Sequence, residues 1–234
     1  AGNGEPFLHP RIFDILEIIR KAGSVPAIVT NGTLLHRENV RKLSSLGPSI
    51  LNISFDGGTR ETFEDIRKGA NFGEILEHLE FIREFKRENN TPFPMLNFLV
   101  CVMESNRNEL TKIIEIAEKY GVSKVDFQSV FPFSEYGKKN MIASLEELQK
   151  AVNPALEAAK ARGIPASFSP LFFGLEKRLR HLGQDPSNTG PLFCDNIWQT
   201  LHVGVNGDVR FCCFWTGEPI GNLQKDELPD LWKH

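Results

Sequence analysis

Cysteine is scarce in this sequence: four residues among 234, at positions 101, 194, 212 and 213. That is too sparse for a disulfide-stapled secreted domain, so a reducing, cytoplasmic setting is expected. No apolar run approaches the ~18 residues that a membrane span needs. The start, AGNGEPFLHP, carries neither basic residues nor an apolar stretch, so no signal peptide is expected. Basic excess is missing as well. Lys+Arg 27 against Asp+Glu 30 leave a net charge of -3, which argues against nucleic acid or an anionic membrane as partner. Internal repeats, low-complexity tracts and long charge runs are absent. No phosphate-binding glycine loop follows Phe131, which argues against an ordinary barrel enzyme for phosphorylated metabolites. What is present is the composition of a globular protein, 41% hydrophobic and 24% charged, able to bury a sizeable core.

The first two-thirds of the chain alternates two periods. Short apolar or β-branched runs occupy 25–30, 49–55, 95–103 and 123–131. Between them, 10–22, 36–46, 72–88, 107–120 and 144–162 carry apolar residues on one helical face. Gly47-Pro48 and Gly121 stop two of these helices, and Ser144 followed by Glu147 has capping-box spacing. Such alternation with short loops predicts βα units and a parallel sheet. An open doubly wound sheet and a barrel both satisfy it, and either puts function at the C-terminal strand ends. From about 165 the character changes, with proline, glycine and irregular apolar residues and weak helical periodicity over 174–182. TLHVGV and DVRFCCF then flank Asn206-Gly207, which predicts a two-residue hairpin turn. The expected division is 1–165 and 166–234.

Four groups of residues bear on chemistry. The turn Gly2-Asn3-Gly4-Glu5-Pro6 leads into a helix; its glycines permit close backbone approach to a ligand, and Glu5 can accept from an ammonium group. A plain βα turn with a solvated Glu5 reads equally from this spacing. Thr30-Asn31-Gly32-Thr33 follows a buried strand, where Asn31-Gly32 tolerates left-handed backbone. On 50–55, Asn52, Ser54 and Asp56 alternate with Ile53 and Phe55; this suits a polar barrel lumen or the wet face of an edge strand. Asp126 and Gln128 alternate likewise with Val125 and Phe127, and Asn97 is similar. If luminal, Asp126 and Gln128 are candidates to position substrate or take a proton. Cys101 lies in LNFLVCVM and reads as a small buried hydrophobe.

The fourth group is the most specific. Cys194 is followed by twelve residues, Gly207, four residues and Cys212, with Cys213 adjacent. Thiolates gathered across the hairpin suit zinc or an iron–sulfur cluster; a disulfide or inert cysteines are the alternatives. A closed metal site needs four ligands. Three cysteines are here, with His202 and His181 as further candidates, so the set is incomplete.

The chain resembles the radical S-adenosylmethionine (radical SAM) superfamily, in particular members with a C-terminal SPASM or twitch auxiliary-cluster domain. Gly2-Asn3-Gly4-Glu5-Pro6 resembles the family's GGEP motif. Leu8-His9-Pro10, Thr30-Asn31-Gly32-Thr33, Ser54-Phe55-Asp56-Gly57 and Asn71-Phe72 follow in family order. Cys194, Gly207 and Cys212 match the SPASM opening, with Cys213-Phe214, Ile220-Gly221-Asn222-Leu223 and Leu231-Trp232 as continuation.

The resemblance implies an α/β fold: a partial (β/α)6 TIM-like barrel, truncated at its N-terminal end, with a small C-terminal hairpin segment. It implies a 4Fe–4S cluster, SAM and an auxiliary iron–sulfur cluster. It also implies an oxidoreductase that cleaves SAM to a 5′-deoxyadenosyl radical and abstracts hydrogen from a peptide, protein side chain or small metabolite. An electron donor such as flavodoxin or ferredoxin belongs to that chemistry. Gly2, Gly4, Glu5 and Pro6 would line the methionyl amino group, and Thr30 and Asn31 would lie near SAM. Ser54 and Asp56 would lie near its ribose or methionyl part. Cys194 and Cys212, with Cys213 ranked below them, would be auxiliary-cluster ligands. The family's C-x3-C-x2-C motif belongs upstream of GGEP, and later SPASM cysteines downstream of Leu231-Trp232. Neither is within these residues, so the 234-residue chain alone is expected to show no radical activity. The competing expectation is a noncatalytic metal- or partner-binding barrel.

Overall fold

A computed structural model describes residues 4–130, 134–169, 200–211 and 217–232. Two compact units divide the chain: Glu5–Arg178, and Leu179–His234 with Ala1–Gly4. Among the described residues no helix is long and apolar enough to cross a membrane.

In the first unit, β1 (Ala27–Thr30), β2 (Ile50–Ser54), β3 (Met95–Val102), β4 (Lys124–Ser129) and β5 (Ala166–Ser169) form one parallel sheet in chain order. The connections carry α2 (Arg37–Ser45), α3 (Arg60–Ile66), α4 (Phe72–Glu88), α5 (Leu110–Lys119), α6 (Glu135–Asn140) and α7 (Leu145–Ala161). A 3-10 turn at Pro6–Leu8 and α1 (Ile12–Lys21) precede β1. A doubly wound sheet reverses its winding at a switch point. This one advances by a single strand at every crossover, as a barrel wall does.

Alternation supplies the two faces. Leu51, Ile53, Leu96, Phe98, Val100, Val125 and Phe127 are fully buried and join Leu43, Leu79, Ile82, Ile113 and Ala117 of the helices in one core. Residues between them are half-buried. One face is therefore dry and helix-covered, and the other is partly open. The periodic helices start where their caps dictate. Asn71 Oδ1 accepts from Glu74 N (3.2 Å) at α4, and Ser144 Oγ from Glu147 N (3.2 Å) at α7.

Four aromatic rings occupy the covered face near the strand ends. Phe55 stacks on Phe98 with centroids 4.4 Å apart, and Phe63 lies 5.1 Å from Phe55 and 5.3 Å from Phe72. Gly57 sits beneath this cluster. A Cβ there would come within 2.6 Å of the Phe63 Cα, so α3 docks on a bare backbone.

The structure adds elements that the patterns did not announce: the 3-10 turn, α3, α6 and β5. The sheet continues through β5, which pairs with β4, and 165 falls between α7 and β5. The segment 174–182 lies outside the described residues.

In the second unit β6 (His202–Val203), β7 (Asp208–Arg210) and β8 (Gly221–Asn222) form an antiparallel sheet in that order, followed by α8 (Leu228–Leu231). The two-residue turn expected at Asn206-Gly207 is corrected to a three-residue loop. Gly204 N donates to Asp208 O (2.8 Å), enclosing Val205, Asn206 and Gly207. Only Gly207 is left-handed, at φ 86°. Asn206 instead uses its side chain, with Nδ2 2.6 Å from Asp208 Oδ2, and this local bond satisfies the turn without a second left-handed residue.

Replacing Phe98 by Ala removes the ring stacked on Phe55. The expected cost is about 3–5 kcal/mol, read as a fall in the urea midpoint with an unchanged slope.

Candidate functional site

Polar side chains gather at the C-terminal ends of β1, β2 and β3. Gly4 takes φ 140°, where a side chain is strained. It delivers Glu5 to the start of the 3-10 turn, with Pro6 in the first helical position. The Glu5 carboxylate then bridges two segments. Its Oε1 accepts from Phe7 N (3.2 Å) and Thr30 Oγ1 (2.8 Å), and its Oε2 accepts from Asn31 N (2.8 Å). Thr30 is 2% exposed, and its oxygen also accepts from Gly32 N (3.1 Å). Asn31 Oδ1 accepts from Thr33 N (2.9 Å) and Thr33 Oγ1 (2.7 Å). Glu5, Thr30 and Asn31 are thus brought together, with the Thr30 hydroxyl turned inward to Glu5.

Asp56, just beyond β2, is 1% exposed. Its Oδ1 accepts from Cys101 N (2.7 Å), and its Oδ2 accepts from Arg67 Nε (2.6 Å) and pairs with Arg67 Nη2. Burial pushes this carboxyl up from its ordinary range, against the opposing pull of the Arg67 charge and the Cys101 N–H. Its carboxylate is directed into the protein. Ser54 stays on the open face, in a register row with Leu99, Asp126 and Ser167. Two interstrand steps of ~4.8 Å set Ser54 and Asp126 about 10 Å apart along that row. Asp126 is held by Lys124 Nζ (2.8 Å) and by the Ser167 hydroxyl. Gln128 shares the next row with Cys101 and Ser169. Asn97 Nδ2 donates to Asn52 Oδ1 (3.1 Å) on the same face. The open face is polar on β2 and β4 and mixed on β3, where Met95, Leu99 and Cys101 accompany Asn97; β2 is an interior strand, not an edge.

Three residues escaped the sequence reading. Glu109, at the foot of α5, accepts from Gly58 N (3.0 Å), Thr59 N (3.1 Å), Thr59 Oγ1 (3.0 Å) and Thr62 Oγ1 (2.8 Å). Asn106 Nδ2 donates to Asp56 O and Cys101 O, both at 2.8 Å, and its Oδ1 accepts from Met103 N (2.8 Å). Arg67 completes the set. The only available signal was the Gly57-Gly58 pair, which marks a close approach without naming what approaches.

Cys101 is the free thiol among the described residues. Burial first, then the Asp56 charge, push its pKa up to about 12, so the thiol stays protonated at neutral pH. Among the described residues no three His, Cys, Asp or Glu side chains are placed to hold a metal ion. Gly2, Cys194, Cys212 and Cys213 lie outside the described residues, as does His181. A cluster has no thiolate set among the described residues. SAM is a different case. It presents an ammonium group and ribose hydroxyls, and the strand-end carboxylate, amides and hydroxyls suit those groups in kind.

Residues 1–117 match the sequence model described as the Radical SAM superfamily, and 194–234 match that of an SPASM iron–sulfur cluster-binding domain. AdoMet-dependent heme synthase of Methanosarcina barkeri is 35% identical over 99% of this chain and 66% of its own length. Fe-coproporphyrin III synthase of the same organism is 26% identical over 98% and 59%. Streptococcus suis SuiB, solved with its precursor peptide SuiA, superposes with a TM-score of 0.75 at 13% identity, over 99% of this chain and 52% of that one. The chain therefore spans between about half and two-thirds of these proteins. The two domain matches imply 4Fe–4S clusters and SAM as cofactors.

Replacing Thr30 by Val keeps shape but leaves Glu5 short of a donor and Gly32 N short of an acceptor. Stability is expected to fall by about 1–3 kcal/mol, measured by chemical denaturation. The Cys101 thiol has a pH signature. Its folded pKa is raised above the ordinary 9.0, so the folded state keeps a proton that the unfolded state releases. Its stabilising contribution is full below about pH 9 and declines as pH rises from there toward about 12. A Cys101→Ala variant, compared with wild type between pH 8 and 10, should lack that component of the decline.

Proposed function

The chain belongs to the radical SAM superfamily and carries an SPASM segment, and from that premise we propose that it serves in hydrogen abstraction from an iron-bearing tetrapyrrole. One observation carries the choice of substrate class: 35% identity to a heme synthase across nearly the whole chain. The likeness to SuiB supports the fold and does not weigh on the substrate.

A reduced 4Fe–4S cluster and SAM held at this end of the sheet would supply the one-electron radical chemistry that removes a hydrogen atom from substrate. The residues of this chain bind and orient. Gly2, Gly4, Glu5 and Pro6 receive the methionyl end of SAM, with the Glu5 carboxylate fixed by Thr30 and Asn31. Ser54 meets the ligand from the open face. Asp56, bound to Arg67 and Cys101 N, holds that strand end in place. Asp126 and Gln128 face the same side and orient substrate or accept a proton from it. Cys194 and Cys212, with Cys213 as third candidate, ligate the auxiliary cluster. A flavodoxin- or ferredoxin-type protein supplies the electron. The parallel sheet through β5 forms the SAM-binding wall, so the division expected at 165 moves beyond β5, and the residues after it are the linker and auxiliary-cluster segment.

The test uses the full-length protein, reconstituted with iron and sulfide without oxygen and given a reductant and SAM. Fe-coproporphyrin III is expected to accelerate 5′-deoxyadenosine release at least about tenfold over the substrate-free rate. Acceleration by a peptide instead would overturn the tetrapyrrole assignment. Intact SAM under every condition would favour a noncatalytic binding barrel. Residues 1–234 by themselves, with no C-x3-C-x2-C among their four cysteines, are expected to leave SAM intact.

A further inference from the structure

The inward face of α4 is apolar at Ile75, Leu79 and Ile82. His78 interrupts it. Its Nδ1 lies 3.1 Å from the carbonyl oxygen of Gly32, in the turn that holds Glu5. A carbonyl can only accept, so Nδ1 carries the proton and donates. α4 also packs closely on the turn at Gly32. This glycine takes φ 82°, and a Cβ there would meet Ile53 Cγ2 and Ile75 Cδ1, each at 3.3 Å. A residue other than glycine would push the turn away from α4. Ile75 and His78, three positions apart on one helical face, therefore grip the turn by packing and by a hydrogen bond.

The grip continues toward the open end of the sheet. Gly32 N donates to Thr30 Oγ1 (3.1 Å), Thr30 Oγ1 donates to Glu5 Oε1 (2.8 Å), and Asn31 N donates to Glu5 Oε2 (2.8 Å). We propose that His78 is a positioning residue for SAM: from the covered side of the sheet it sets the Thr30-Asn31-Gly32 turn, and through it the Glu5 carboxylate. This rests on the functional reading above. A leucine would serve packing alone at this place. The Gly32 carbonyl also accepts from Leu35 N (3.3 Å), and the imidazole N–H takes its second lone pair, tying the turn to α4 whereas the Leu35 bond stays within the turn. The imidazole also borders a cavity of about 430 Å³ shared with His36, Arg37 and Phe81. Its surroundings can thus accept a ring of slightly different shape.

The reconstituted full-length enzyme carries the test. SAM is titrated against the reduced protein while the electron paramagnetic resonance signal of the cluster is followed, and the thermal midpoint is recorded for each variant. His78→Phe keeps a ring and loses the donor; it is expected to weaken SAM binding about tenfold, the scale of one lost hydrogen bond. His78→Asn, whose Nδ2 reaches the place of Nδ1, is expected to return affinity to within about twofold of wild type. Should His78→Phe fail to fold, His78→Asp replaces it, with the shape of Asn and no donor. Wild-type affinity in the donorless variant overturns the proposal. So does failure of His78→Asn to rescue, or a loss of affinity that merely follows the thermal midpoint. A wild-type signal insensitive to SAM would instead refute the functional reading.

Discussion

Burial of every second residue along four parallel strands is the constraint from which the rest of the first unit follows. Side chains alternate across a strand, and each crossover here lands on the same side. One set of residues is sealed under the helices, and the other is left half-open. The sealed set is apolar from Leu51 to Phe127, and turns polar only at the strand ends, at Thr30 and Ser129. The open set is then free to be Asn52, Ser54, Asn97, Asp126 and Gln128. Polarity on that face carries little desolvation penalty where water or a polar ligand can reach it.

The strand ends pose the opposite problem. There the chain leaves the sheet, and backbone groups lose their ladder partners while still shielded from water. Three buried or half-buried acids meet that demand. Glu5 takes the N–H groups of Phe7 and Asn31, Asp56 that of Cys101, and Glu109 those of Gly58 and Thr59. Each acid joins segments remote in sequence, so the loops over the open face are braced by charge-assisted bonds. Asp56 shows the balance most clearly. Burial alone would favour its neutral form, and the Arg67 guanidinium opposes that.

Much of this was legible from residue order. Helices at 72–88 and 144–162 were visible in their apolar spacing and caps, and the strands in their alternating or continuous apolar runs. The short elements were not. β5, ASFS, has one large apolar residue in four, and α3 and α6 have seven and six residues. These lengths are too brief for a period to register, so tertiary contacts impose the structure. The Asn206-Gly207 dipeptide marks the place of the hairpin and not its turn type, because a side-chain bond from Asn206 to Asp208 competes with the left-handed backbone that the dipeptide suggests.

By itself the sequence determined the βα order, the polar and apolar faces of β2 and β4, and the ordered motifs of the superfamily. Periodicity and motif spacing are local, and both survive in a linear string. Only the tertiary structure decided between a singly and a doubly wound sheet, turned Asp56 inward to Arg67, and set Glu109 under Gly58. It also aimed His78 at Gly32. Those pairs stand between 11 and 51 residues apart. Hydrogen bonds across such distances leave no period in the sequence, because they depend on where folded segments meet.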